Sequence, residues 1–161
     1  MLAWHVDLKR AMWRPEYLLE MVARLRDWGY DTLVLEIEDK FRFTKHPRLR
    51  HPEAPTHAQW RDLVARCRRL GVEPIPLFQT LGHAESVVGL PEYAHLRERP
   101  DVADQYDPTS TEAQAFLRGV IDDMIAVLRP REFLHLGGDE TWALGQSEKC
   151  RAIVEKEGIG G

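Results

Sequence analysis

Short apolar runs and helix-length amphipathic segments alternate from one end of this 161-residue chain to the other. That alternation restricts the fold more than any other feature. Leu2 to Leu8 is the first run. Pro15 then suits the first position of a helix, and Leu18, Met21, Val22, Leu25 and Trp28 form a stripe that Gly29 closes. Thr32 to Glu38 reads as the second strand. Thr56 and Gln59 make a capping-box pattern, followed by Trp60, Leu63, Val64, Cys67 and Leu70 up to Gly71. Val72 to Gln79 is the third strand, although Pro74 and Pro76 fall within it. Thr109 with Glu112 predicts a second capping box ahead of Phe116, Leu117, Val120, Ile121, Met124 and Leu128. Arg131 to Leu136 is the fourth strand. A weaker helix spans about Ser147 to Lys156, and Gly158 to Gly161 adds no element.

Strand–helix units in series imply an α/β fold with a parallel sheet and right-handed crossovers. The pattern fits an open doubly wound sheet and part of a barrel alike. No Gly-x-Gly-x-x-Gly follows the first strand, which argues against a dinucleotide-binding fold. The candidate chemical groups sit at the C-terminal ends of strands, as in barrel enzymes. If Leu33, Leu35 and Ile37 face the helices, then Val34, Glu36 and Glu38 face inward, with His5 and Asp7 sharing one side of their strand. His135 and Phe78 are expected on the same inward face. Buried charges must be paired, so His5, Glu36 and His135 read as a structural polar network.

A net charge of -4 gives no pull toward nucleic acid or membrane, and the basic stretches at 48–50 and 66–69 read as solvated helix faces. The chain is expected to be one domain, 1–161. Cys67 lies on an apolar stripe as a small core residue, and with Cys150 forms no metal-type pair or disulfide framework. With no charged-then-apolar leader and no apolar run of membrane-spanning length, the expected location is the cytoplasm. His46, His51, His57 and His95 sit in polar, Pro-punctuated stretches and carry no functional claim.

The chemistry concentrates in Phe133-Leu134-His135-Leu136-Gly137-Gly138-Asp139-Glu140-Thr141-Trp142. Neighbouring side chains of an unbroken strand point to opposite faces, so Asp139 and Glu140 could not share a site there. Gly137 and Gly138 can take backbone angles closed to other residues and turn both carboxylates one way. Adjacent acids repel each other's charge, which tends to keep one protonated near neutrality. An acid beside a carboxylate is what glycosidic bond cleavage requires. The competing reading is an acidic helix-leading turn. A metal site from His135, Asp139 and Glu140 matches no common ligand spacing, and no cofactor is expected.

The segment resembles the His-x-Gly-Gly-Asp-Glu signature of glycoside hydrolase family 20, the β-N-acetylhexosaminidases. Residues 5–9, 32–41, 74–85 and 106–108 resemble its hexosaminidase-D-like branch, in family order. The resemblance implies a partial (β/α)8 TIM barrel, its first four β/α units, since a whole barrel needs about 250 residues. It implies that the substrate's acetamido oxygen attacks the anomeric carbon. Glu140 is then the general acid and later base, and Asp139 holds the acetamido N–H. Asp7, Glu38, Asp39, His83, Glu85, His135 and Trp142 are the expected substrate-binding or supporting groups. Trp142 would floor the sugar ring or else pack its loop. The arginine that family members carry five residues before the first-strand aspartate is Leu2 here. The expected partner is an N-acetylhexosamine-containing glycan, with closure by a second copy or a C-terminal half. A non-catalytic half-barrel that binds sugar or a partner is the alternative. A retaining enzyme with Glu38 as nucleophile is a third.

Overall fold

The computed structural model describes residues 1–158; the tail at 159–161 lies outside the described residues. The chain forms two compact units. The first contains Met1–Phe78 and Val120–Leu136, and the second contains Gln79–Gly119 and the described residues from Gly137 onward.

In the first unit, β1 (Ala3–Asp7), β2 (Thr32–Glu36) and β3 (Glu73–Leu77) form a parallel sheet in the order β1-β2-β3. Helices α1 (Pro15–Asp27) and α2 (His57–Arg69) make the crossovers. Pro15 opens α1 as expected, but the buried stripe is Leu18, Leu19, Val22 and Leu25; Trp28 is exposed. Leu19 is the better-placed neighbour of Val22, three residues on. Gly29 has φ +92°, and Tyr30 N–H donates to Leu25 O at 2.9 Å, so the helix ends in a glycine-based cap. At α2 both halves of the Thr56–Gln59 capping box form. Trp60, Leu63, Val64 and Cys67 bury the inner face, while Leu70 is exposed.

The expected fourth strand is reduced to one parallel bridge between Leu77 and His135. The prolines explain why. Ile37 N–H donates to Leu77 O, and Glu73 N–H donates to Asp31 O, so the odd positions of β3 bond β2. The even positions point the other way, and two of them, Pro74 and Pro76, have no N–H to give. Only Phe78 N–H remains, donating to His135 O at 3.2 Å, while His135 N–H donates to Pro76 O at 3.0 Å.

Register partners on parallel strands share a face. His5 pairs with Val34, Asp7 with Glu36, Val34 with Ile75 and Glu36 with Leu77. With the Leu77–His135 bridge, one face carries His5, Asp7, Val34, Glu36, Ile75, Leu77 and His135. Phe78 is therefore not on that face. A one-residue slip flips every side chain, and Phe78 instead meets the Phe43 ring edge-to-face at 5.8 Å.

In the second unit, α3 (Glu85–Val88) follows a short loop, and a 3-10 turn covers Pro91–Leu96. Helix α4 (Thr111–Leu128) starts in this unit. Its cap is Ser110, whose hydroxyl accepts from Ala113 N–H at 3.2 Å. Thr109 is not the cap, because Asp107 Oδ1 accepts from both its N–H and its hydroxyl. Tyr93 and Tyr106 pack on Phe116 at 5.3 and 6.1 Å. Helix α5 (Glu148–Glu157) is capped by Ser147, which accepts from Cys150 N–H. Both cysteines are buried and free. Among the described residues no helix is long and apolar enough to cross a membrane.

Candidate active site

In the second unit the chain reverses at Gly137 (φ +64°) and Gly138 (φ +99°), values that side-chain-bearing residues rarely adopt. Gly137 also has no room for a side chain, since a Cβ would lie 1.8 Å from Gln79 Oε1 and 3.1 Å from Gln79 Cα. Gln79 is buried, and its Oε1 accepts from Gly138 N–H at 3.1 Å, which fixes the reversal. The two glycines are thus used as the sequence suggests. The sequence signal for Gln79 is an amide at the end of an apolar strand, where a buried amide must serve backbone groups.

Beyond the reversal, Asp139 and Glu140 reach one side chain. His83 Nε2 lies 3.4 Å from Asp139 Oδ2 and 3.3 Å from Glu140 Oε2. Both carboxylates are largely exposed, and the imidazole is about one-third exposed. Glu140 (φ +52°) and His83 (φ +53°) both occupy the left-handed region, a backbone cost of about 1–3 kcal/mol each that clusters at functional sites. The loops touch at Gly82, where a Cβ would sit 2.2 Å from Asp139 O. Trp142 is 78% exposed, so loop packing does not account for it. Glu85 is exposed on the first residue of α3.

The remaining expected residues lie in the first unit. Glu36 is 3% exposed and doubly paired: its Oε2 meets His5 Nε2 at 2.9 Å, and its Oε1 accepts from Lys9 Nζ at 2.6 Å. This is the structural network expected for His5 and Glu36, with Lys9 as a member the strand pattern did not single out. Asp7 accepts from Lys9 N–H at 2.7 Å and keeps an exposed side chain. Glu38 is fully buried and left-handed at φ +45°. Asp39 forms an ion pair with the buried Lys40, whose Nζ also donates to Lys9 O at 2.9 Å. His135 is exposed at its bridge to Leu77. Among the described residues, no three His, Cys, Asp or Glu side chains are grouped to hold a metal ion.

Residues 30–161 match the family described as "Glycosyl hydrolase family 20, catalytic domain". The chain belongs to glycoside hydrolase family 20. It is 31% identical over 154 residues to Hexosaminidase D of Bos taurus, covering 95% of this chain and 44% of that protein. With Hexosaminidase D of Homo sapiens it is 32% identical over 154 residues, covering 95% of this chain and 32% of that protein. The family 20 chain thus spans less than half the length of these curated relatives.

Solved structures share the fold. A Flavobacterium johnsoniae chitobiase superposes with a TM-score of 0.83 at 16% identity, covering 96% of this chain and 26% of that one. A Streptomyces coelicolor A3(2) family 20 β-N-acetylhexosaminidase gives 0.76 at 20% identity, covering 96% and 36%. The α/β fold is therefore that of family 20 structures.

Proposed function

We propose that residues 1–161 form one domain, the first four β/α units of a (β/α)8 barrel, and that the barrel is a β-N-acetylhexosaminidase. The reading rests on one observation above the rest: Asp139 and Glu140, adjacent in sequence, both reach His83 Nε2 after the Gly137–Gly138 reversal.

Cleavage of a terminal N-acetylhexosamine requires the leaving oxygen to gain a proton as the anomeric carbon loses its bond. Glu140 donates that proton while the substrate's acetamido oxygen attacks the anomeric carbon. Asp139 accepts from the acetamido N–H and offsets the positive charge of the oxazolinium ion. Glu140, now a carboxylate, takes a proton from the water that opens the ring. His83 holds the two carboxylates side by side. Trp142, with its exposed face, stacks on the sugar's C–H surface, and Glu85, exposed in the same unit, supplies a polar contact. Asp7, Asp39 and His135 are the further substrate-binding groups that the family resemblance implies. Glu38, being enclosed, is poorly suited to attack a sugar as a nucleophile. The partner is a glycan or glycoconjugate ending in an N-acetylhexosamine, and the barrel closes with a C-terminal half or a second copy.

Aryl N-acetylglucosaminides and the matching glucosides, with good and poor leaving groups, test the assignment. Glu140→Gln is expected to lose about 10²–10⁴-fold on poor leaving groups and much less on good ones. Asp139→Asn is expected to lose about 10²–10³-fold on every N-acetyl substrate. Equal wild-type rates on N-acetylglucosaminides and glucosides would refute acetamido participation. No hydrolysis by the chain, alone or with its complementing half, would favour a sugar-binding half-barrel.

A further inference from the structure

Within the second unit, two buried side chains outside the reacting group hold its loop. Glu98 is 5% exposed and Gln105 is 1% exposed. They sit on two short segments joined by an antiparallel bridge between Arg97 and Tyr106. Glu98 Oε1 accepts from the N–H groups of Gln146 at 2.8 Å and Ser147 at 3.1 Å. Its Oε2 accepts from Gln105 Nε2 at 2.6 Å, and Gln105 Oε1 accepts from Ala143 N–H at 3.1 Å. Ala143 follows directly on the turn in which Trp142 N–H donates to Glu140 O at 3.2 Å. The same segment grips the loop on the other side of the carboxylates. Ala84 N–H donates to Asp104 O at 2.8 Å, and Tyr106 N–H donates to Leu81 O at 3.0 Å, on either side of His83.

We infer that Glu98 and Gln105 are a positioning pair that sets the distance from Glu140 and Asp139 to His83. The inference rests on the assignment of Asp139 and Glu140 as the reacting carboxylates. One short segment bonds the chain before and after His83 and the chain after Glu140, so its position fixes both. Each atom of the pair has one workable role. A backbone N–H at Ala143 needs an acceptor, so Gln105 turns its oxygen there and its amide nitrogen toward Glu98. Glu98 then accepts on both oxygens, from Gln105 on one and from the two backbone N–H groups on the other. Loop strain at Glu140 and His83 persists only where neighbouring structure over-determines it, and this pair supplies part of that constraint.

The polarity of the pair makes a decisive test. In Glu98→Gln, the new amide must keep its oxygen toward Gln146 and Ser147, so its nitrogen faces the nitrogen of Gln105. If Gln105 flips, its nitrogen faces Ala143 N–H instead. One buried hydrogen bond is lost either way, at nearly unchanged volume. The double variant Glu98→Gln/Gln105→Glu restores an acceptor for every donor. Amide hydrogen exchange on the full chain is the first readout. The single variant is expected to lose about tenfold protection at Ala143 and Trp142, the effect of one buried hydrogen bond, and the double variant to regain it.

Hydrolysis of aryl N-acetylglucosaminides is the second readout. The single variant is expected to lower kcat about 10–100-fold with KM retained, since small misplacements cost that much. The loss should be larger for poor leaving groups, and the double variant should reverse it. A loss equal on all leaving groups, or one the double variant fails to reverse, would overturn the inference, because that is what a merely structural defect produces. Unchanged exchange in the single variant would overturn it too. If the wild type hydrolyses nothing, the proposed function fails and this inference with it, whereas wild-type turnover with an unrescued single variant overturns the inference alone.

Discussion

Gly82→Ala isolates the packing of the His83 loop against the backbone that carries the two carboxylates. A Cβ at this position would lie 2.2 Å from Asp139 O, 3.2 Å from Glu140 O and 3.3 Å from Glu140 C, whereas ordinary contact begins at 3.4 Å. The opposing atoms are backbone, so no side-chain rotation relieves the overlap. The two loops must part by about 1 Å, the difference between 3.4 and 2.2 Å. Forcing one extra carbon into a packed contact costs about 1–3 kcal/mol. For a domain of this size that lowers Tm by about 2–4 °C per kcal/mol. The same 1 Å opens the distances from His83 to both carboxylates, and a displacement of that size costs about 100-fold in rate. The assay pairs a thermal melt with kcat on an aryl N-acetylglucosaminide. Gly29→Ala is the control: its φ is +92° but nothing lies within 4 Å, so it reports backbone strain without a clash and should leave kcat alone. A Gly82→Ala variant with wild-type Tm and kcat would refute the reasoning, because the loops would then not be in contact.

Glu36→Ala should destabilise the chain by about 1.5–3 kcal/mol in denaturant titration, because it removes the charge-assisted bond to the part-buried Lys9. Glu36→Gln, which keeps the shape, should cost less. The Cys67 thiol, pushed up to about 11 by burial, is held neutral. Its folded value is above the ordinary one, so its contribution is intact below about pH 9 and is lost as pH rises toward about 11. Wild type should therefore lose more stability over that range than Cys67→Ala, and Cys67 should resist alkylation until the chain unfolds. Burial also lowers the pKa of His46, so its contribution is present above the ordinary histidine range and is lost as pH falls through the lowered value. His46→Gln should flatten the acid limb of the stability curve. Finally, with Leu2, Trp4, Phe133 and Leu136 exposed, the isolated chain should associate at micromolar concentration. A monodisperse monomer with full turnover, by light scattering and hexosaminide assay, would refute the half-barrel reading.

Much of this architecture is local chemistry, and local chemistry is legible in one dimension. Proline at a helix start, the Thr56–Gln59 capping box and the glycines ending α1 and α2 need only neighbours within a few residues. The Gly137–Gly138 reversal was legible for the same reason: two adjacent acids after a strand can point one way only if the backbone breaks its alternation. Register was not legible. Whether Leu77 or Phe78 shares a face with Glu36 depends on a strand distant in sequence, and a slip of one residue exchanges them. The fourth strand shrank to a bridge because Pro74 and Pro76 withhold the donors that faced it, a consequence visible only once the side of β3 that bonds β2 is known. Tertiary contact alone decided that Lys9 is the counter-ion of Glu36, that Gln79 braces Gly138, and that Glu98 and Gln105 hold the loop after Glu140. A buried polar group is defined by the partner that satisfies it, and those partners are brought together by folding, not by spacing along the chain.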